Sequence, residues 1–308
     1  MSVAVVVVSY NRKELLRDCL TSVCAQVAPE DEVIVIDNGS TDGSPELVRG
    51  EFPQTTLFET GENLGGSGGF AWGVELAIAK GHSWAWLMDD DGTPAADALD
   101  NLKRVVTAAP TTPSFAACLV TGTPGSSSEH PPALTLETDT ERLLEAADQG
   151  CIAVTHAIFV GVMINLGIAA SMPLPYSDFF IWLDDLEYTR RLTQVAPGLL
   201  VPEAAIYHPI KAPARNDMGP RLYYYTRNKL WCTKLDTTAT GLRSSLFVMT
   251  GYVVWHGLQQ LVIAKDKGVW ASSLARGVRD GVLRRPRQDH PGDLLRRNRR
   301  EVPARPTV

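Results

Sequence analysis

Short apolar runs alternate with helical patterns through the first half of the chain. The apolar runs predict strands at residues 3–8, 32–36, 57–59 and 84–88. Apolar residues spaced three and four apart predict helices at residues 13–27, 70–80 and 95–108. Because nearly continuous apolar strands alternate with helices, we expect an α/β fold whose mostly parallel central sheet has helices on both faces. Ligands of such sheets bind at the carboxyl ends of the strands.

The second half of the chain is less regular. Its Gly, Ser and Pro content predicts a surface loop at 121–132, an apolar run predicts a strand at 158–164, and an aromatic segment at 176–192 follows. The stretch 244–264 carries no formal charge and predicts an interfacial helix, a helix packed on the core or on another copy, or a membrane span. Its Ser, Thr, His and Gln side chains make the span the least favoured of the three. We divide the chain into an α/β domain, 1–230, and a helical, Arg-rich C-terminal region, 231–308.

The formal net charge of -6 is unevenly distributed. Residues 276–308 contain ten arginines, no lysine and four acids, so this segment carries +6 and residues 1–275 carry -12. An acidic body argues against nucleic acid as a partner, and the basic end suggests an anionic membrane surface. The five cysteines are scattered without metal-ligand spacing, which argues against zinc and favours a reducing compartment.

Three consecutive aspartates, Asp89, Asp90 and Asp91, follow the fourth predicted strand. Adjacent carboxylates raise one another's proton affinity unless a cation lies among them. Side chains at i and i+2 of an extended segment point the same way, so Asp89 and Asp91 can reach one ion while Asp90 faces elsewhere. Oxygen ligands of this kind suit a divalent cation, Mg²⁺ or Mn²⁺. A solvated acidic turn is the alternative.

A glycine cluster at 63–69, NLGGSGG, precedes the third predicted helix. Its amides could hold a diphosphate at the helix N-terminus. The cluster is not the dinucleotide fingerprint, which directly follows the first strand. A flexible turn is the alternative here and at Asp37, and the acids Asp184, Asp185 and Glu187 could equally be a solvated helix start.

In their order along the chain, these blocks resemble glycosyltransferase family 2, whose members have the GT-A fold. The resemblance covers about residues 1–230 and is carried by the segments VVVVSYNR, VIDNGSTDGS, NLGGSGGFAWG, WLMDDDG, FFIWLDDLEYTRR, YHP and YYYTRN. Within the family, the doubled glycines, the DDD triplet and WLDDLEY are most similar to the actinobacterial galactofuranosyltransferases that start cell-wall galactan. The chain departs from the family pattern in two places: the DDD triplet stands in place of a looser D-x-D, and the serine that is frequent after YHP is absent.

The resemblance implies a role for each block. It implies Asp185 as the catalytic base, with Asp184 as the second candidate, and Trp182 and Glu187 as acceptor residues. The metal ligands it implies are Asp89, Asp91 and His208. The donor-binding residues it implies are Arg12, Asp37, Asn63, Gly65, Gly66, Asp90 and Arg227.

The resemblance also implies an activity. This is inverting, metal-dependent transfer of galactofuranose from UDP-galactofuranose to a polyprenyl-diphosphate-linked rhamnosyl-GlcNAc acceptor. A peripheral position on the cytoplasmic face of the plasma membrane follows, and a homo-oligomer is a further prediction. The alternatives are a rhamnosyltransferase using dTDP-rhamnose and a non-catalytic nucleotide-sugar-binding module, which is expected to lack Asp89, Asp91 or Asp185.

Overall fold

The computed structural model describes residues 1–122, 136–209, 217–235 and 242–306, with only the backbone at 242–250, 252 and 254. The predicted loop at 121–132 lies outside the described residues from 123 onward. The strands are β1 (Val3–Ser9), β2 (Glu32–Asp37), β3 (Thr56–Glu59), β4 (Trp84–Asp89), β5 (Thr93–Pro94), β6 (Phe115–Thr121), β7 (Ile152–Val154), β8 (Val162–Asn165) and β9 (Gly198–Tyr207). The α-helices are α1 (Lys13–Cys24), α2 (Ser44–Glu51), α3 (Gly65–Ala79), α4 (Ala98–Ala108), α5 (Thr140–Asp148), α6 (Leu166–Ala169), α7 (Asp184–Thr193), α8 (Leu222–Leu235), α9 (Leu242–Ile263), α10 (Lys267–Leu283) and α11 (Asp293–Asn298).

The strands of the described residues form one sheet in the order β3-β2-β1-β4-β8-β6-β9-β5, with β7 also paired to β9. The sheet is parallel from β3 to β4, as predicted. Beyond β4 it is mixed, because β8 inserts antiparallel between β4 and β6. β4 and β6 still point the same way, as a crossover through α4 requires.

The two faces of β1 carry two separate parts of the core. Val5 and Val7 face Leu16 and Leu20 of α1, whereas Val6 on the other face packs against α3. All of these side chains are fully buried. Burial on both faces explains why the strand is apolar throughout.

Most predicted elements are present with shifted ends, and two shifts have a clear cause. α3 begins at Gly65 rather than at residue 70, because its glycines allow the helix to lie against β1. A Cβ on Gly69 would lie 2.4 Å from Val8 Cγ1, and one on Gly73 would lie 2.2 Å from Val6 Cγ1. β8 begins at Val162 rather than at residue 158, since Gly161 has a φ of 81° and interrupts the extended backbone.

The C-terminal region is helical, as predicted, and its last segment returns to the α/β body. α10 packs closely on α8, where a Cβ on Gly281 would lie 2.7 Å from Leu230 Cδ1. Farther on, the amide of Gly292 donates to the Glu75 carboxylate at 2.8 Å, and Lys80 Nζ donates to the Pro303 carbonyl at 2.6 Å. Contacts therefore cross the predicted boundary at residue 230. Within the described part of the chain, no helix has the length and apolar character needed to span a membrane.

Candidate functional site

Three strands bring their carboxyl ends together at one edge of the sheet. Ser9 at the end of β1 is in register with Asp37 at the end of β2, and Val8 is in register with Asp89 at the end of β4. The turns that carry Arg12, Asp37 and the aspartate triplet are therefore neighbours, as the sequence predicts.

Asp89, Asp91 and His208 form the candidate metal cluster. Their ligand atoms all lie within 4.8 Å of one another, and His208 Nε2 lies 3.0 Å from Asp91 Oδ1. Burial raises the pKa of Asp89 well above its ordinary value, and the charges of Asp91, Asp90 and Asp184 raise it further. A cation would relieve this repulsion, and two carboxylates with one imidazole are ligands that Mn²⁺ and Mg²⁺ accept. The residues present therefore fit a divalent cation.

Asp90 is not one of the three residues of this cluster and contacts the turn after β1. Its carboxylate accepts hydrogen bonds from Ser9 Oγ at 2.8 Å and from the amide of Tyr10 at 3.3 Å. Arg12 connects the two sides, because its Nη1 lies 3.2 Å from Asp90 Oδ1 and 2.6 Å from Asp91 Oδ2. Asp90 thus ties β4 to the turn after β1 and holds Arg12 at the site.

The turn after β2 contains two buried acceptors that receive no hydrogen bond from the described residues. Asp37 Oδ2 accepts hydrogen bonds from the amides of Gly39 and Ser40 at 3.0 and 2.9 Å. Asp37 Oδ1 and Asn38 Oδ1 are buried, and no described residue donates to either oxygen. Buried acceptors are normally paired, so both oxygens are candidates to receive a donor from a ligand.

The glycine cluster is packed against the segment that precedes α7. Gly65 has a φ of 71°, and a Cβ there would lie 2.0 Å from the Phe180 carbonyl oxygen. Two amides already have protein partners: Gly65 donates to Asn63 Oδ1 at 2.8 Å and Ser67 donates to the Phe180 carbonyl at 3.3 Å. The structure thus gives these glycines a packing role, and donor binding by Asn63, Gly65 and Gly66 stays a prediction.

The first two residues of α7 are the acidic pair Asp184 and Asp185. Asp184 is buried and Asp185 is partly buried, with the Asp185 carboxylate accepting from the Leu186 amide at 2.7 Å. Burial raises the pKa of both groups, and the charge of Asp184 raises that of Asp185 further. The charge of Asp184 also contributes to the raised pKa of Asp89.

The predicted acceptor residues, Trp182 and Glu187, lie before and after this pair in the sequence. Trp182 is partly exposed and meets the Tyr225 ring edge-on, with ring centres 6.1 Å apart. Glu187 is buried and pairs with Arg191 Nε at 2.8 Å, so its carboxylate is held within its own helix. Acceptor binding by either residue stays a prediction.

Arg227 is buried rather than presented to an open pocket. Its Nη2 donates to the Phe179 carbonyl at 3.2 Å, and its guanidinium lies 4.2 Å from the centre of the Trp231 ring. The predicted diphosphate contact stays a prediction. The neighbouring Asn228 has no role predicted from the sequence. Its side-chain amide contacts the carbonyls of Phe179 and Trp182, which lie 49 and 46 residues earlier in the chain. The block YYYTRN was its only signal.

Comparisons with known proteins agree with this geometry. Residues 4–163 match the model of glycosyl transferase family 2. Galactofuranosyltransferase GlfT1 of Mycolicibacterium smegmatis and that of Mycobacterium tuberculosis are each 45% identical over 93 residues, which are 30% of this chain and 31% of theirs. The match thus spans about a third of the length of these relatives.

Solved structures share the fold. S. aureus TarS 1–349 has a TM-score of 0.61 at 13% identity, covering 92% of this chain and 81% of TarS. The mannosyltransferase PcManGT from Pyrobaculum calidifontis, in complex with GDP-Man and Mn²⁺, has a TM-score of 0.55 at 18% identity. The likeness covers 89% of this chain and 74% of PcManGT. At these identities the likeness concerns the fold, which confirms the predicted GT-A class. With its matching family model, the chain belongs to glycosyltransferase family 2 and is a glycosyltransferase of the GT-A fold.

Proposed function

We propose that this glycosyltransferase transfers galactofuranose, with inversion, from UDP-galactofuranose to a polyprenyl-diphosphate-linked rhamnosyl-GlcNAc acceptor of cell-wall galactan. The observation that carries the proposal is the three-residue metal cluster at the strand ends, with a separate acidic pair at the start of α7. The 45% identity to GlfT1 supports galactofuranose as the sugar. TarS, which shares the fold, has been solved with UDP and with UDP-GlcNAc, and this supports a uridine nucleotide as the donor.

Asp185 is the proposed base. Its ionised carboxylate accepts the proton of the acceptor hydroxyl while the oxygen bonds to the anomeric carbon of the donor sugar. The bond between that carbon and the diphosphate breaks on the opposite face, which inverts the configuration. This role needs a carboxylate that is not a metal ligand, and Asp185 lies outside the Asp89, Asp91 and His208 set.

The other strand ends bind the nucleotide diphosphate. Asp89, Asp91 and His208 would hold a divalent cation, which when bound neutralises the charge that develops on the departing diphosphate. Arg12 adds positive charge beside the same carboxylates. Asp37 Oδ1, a buried oxygen without a donor among the described residues, accepts a hydrogen bond from the base or ribose.

We further propose peripheral binding to an anionic membrane through α9. Trp255, Leu258 and Val262 share one face of this helix and are 60%, 53% and 82% exposed. Arg276 and Arg285, in the basic region that follows, are exposed as well. Exposed apolar side chains near basic groups are the two signals that peripheral attachment needs, and a lipid-linked acceptor has to be met at such a surface.

Thermal unfolding with nucleotides tests the metal-dependent donor site. A ligand that binds the native state raises the melting temperature. We expect a larger rise with UDP and Mn²⁺ than with UDP and EDTA, and smaller rises with dTDP or GDP. Asp91→Ala should abolish the dependence on Mn²⁺, because it removes a ligand, whereas Asp100→Ala, at an exposed position on α4, should retain it. Equal stabilisation of the wild type with Mn²⁺ and with EDTA would favour the acidic-turn alternative.

A further inference from the structure

The segment before α7 adopts a backbone conformation that its residues disfavour. Phe180, Trp182 and Leu183 have φ angles of 64°, 66° and 68°. Side chains with a Cβ crowd the backbone in this left-handed region, so such residues persist there only when the surroundings hold them.

The two N–H groups of one buried side-chain amide on α8 lie within hydrogen-bond distance of three carbonyls of this segment. Asn228 is fully buried, and its Nδ2 lies 2.9 Å from the carbonyl oxygen of Phe179, 2.9 Å from that of Ile181 and 3.0 Å from that of Trp182. Three carbonyls turned toward one amide nitrogen require the backbone to curl around it. The left-handed residues are what produce that curl.

Arg227 fixes the direction in which the Asn228 amide points. Arg227 Nε and Nη2 lie 3.0 and 2.9 Å from Asn228 Oδ1. A guanidinium can only donate, so the oxygen of the amide must face Arg227 and its NH₂ group must face the carbonyls. The Arg227 guanidinium also donates to the carbonyls of Asp178 and Phe179, which joins it to the same segment.

This segment leads directly into the acidic pair, because Leu183 immediately precedes Asp184. The Ser67 amide of α3 also donates to the Phe180 carbonyl, at 3.3 Å. The segment that leads into α7 is thus held by contacts from both α3 and α8. Displacing a reacting group by a fraction of an ångström is costly for catalysis, so a fixed helix start has a functional value.

We propose that Asn228, oriented by Arg227, is a positioning residue that holds 179–183 in the conformation that presents Asp185 to the acceptor. The inference rests on the proposed function, in which Asp185 is the base. It assigns Arg227 to the loop and not to the diphosphate of the donor.

The test uses two substitutions of the full-length protein. Asn228→Asp keeps the shape but removes the NH₂ donors, and Asn228→Ser keeps one hydroxyl donor and adds no charge. We expect kcat for transfer from UDP-galactofuranose to fall about 10²-fold in Asn228→Asp and less in Asn228→Ser. The KM for the sugar nucleotide and the stabilisation by UDP and Mn²⁺ should stay at their wild-type values. Asn101→Asp is the matched control, because Asn101 Nδ2 also donates to one backbone carbonyl, that of Glu203, but at a partly exposed position on α4.

Hydrogen exchange gives a readout that does not depend on the substrate. Amide exchange across 179–187 should become faster in both Asn228 variants and stay unchanged in Glu32–Asp37 and in the control. Unchanged exchange across 179–187, or a raised KM with unchanged kcat, overturns the proposal. Wild-type turnover in Asp185→Asn would instead overturn the proposed function, while the exchange data still decide whether Asn228 holds the loop.

Discussion

Asp185 illustrates how position alone can suit a common side chain to a chemical task. An exposed aspartate is a weak base, whereas burial and the nearby charge of Asp184 raise the pKa of Asp185. A raised pKa strengthens the carboxylate as a proton acceptor, provided that the pH is high enough to ionise it. The proposed reaction should therefore lose rate on the acid side at a higher pH than an ordinary aspartate would require.

The Asp184→Asn variant distinguishes the roles of the two acids. It removes a like charge, so the pKa of Asp185 should fall and the acid limb of the kcat profile should move to lower pH. The pH dependence of kcat measures this directly, with Asp148→Asn on the exposed face of α5 as the control. An acid limb that stays at its wild-type pH would contradict the predicted effect of Asp184 on the pKa of Asp185. Complete loss of turnover with intact UDP binding would identify Asp184 as the base.

At the scale of elements, the sequence predicts the strand-end site well and the segments between elements poorly. Apolar runs determine where β1, β2 and β4 lie, and a parallel sheet then brings Asp37, Asp89 and Asp91 to one edge. The predicted start of α3 at residue 70 is too late, because glycine disfavours helices in isolation and the prediction therefore excludes the glycines at 65–69. Here close packing against Val6 and Val8 of β1 requires them inside the helix.

The conformation of 180–183 could not be predicted from its residues. Phe180, Trp182 and Leu183 give no turn signal, and the contacts that hold them come from Asn228, 46 to 49 residues later in the chain. Local patterns report local preferences, and this segment is set by tertiary hydrogen bonds. Its position beside the acidic pair fits the tendency of strained backbone to occur at functional sites.

At the scale of the whole molecule, the basic tail is part of the fold. Several of its arginines pair with acids of the same region, as Arg279 does with Asp280 at 2.7 Å and Arg287 does with Asp289 at 3.4 Å. The tail also contacts the body through Glu75 and Lys80. These pairs engage several of the ten arginines without changing the net charge of +6, so the exposed face of α9 has more weight in the proposed membrane contact than the number of arginines suggests.

Sedimentation with liposomes tests that contact. We expect the protein to bind vesicles that contain anionic lipid and to be released by high salt, since both apolar and charged groups contribute. Point substitutions suit this test better than truncation, because removing the tail would also remove its contacts with the body. Leu258→Ser and Trp255→Ser should weaken binding, whereas Leu144→Ser, at a 62% exposed leucine on α5, should not. Equal binding to neutral and anionic vesicles, or none to either, would contradict the proposed surface.

The most direct test of the proposed function is the Asp185→Asn variant, assayed for both transfer and donor binding. We expect transfer from UDP-galactofuranose to fall by about 10²–10⁴-fold, since a general base is lost. The rise in melting temperature with UDP and Mn²⁺ should stay near its wild-type value, because Asp89, Asp91 and His208 are untouched. A variant that retains more than about a tenth of wild-type turnover would contradict the assignment of Asp185 as the base.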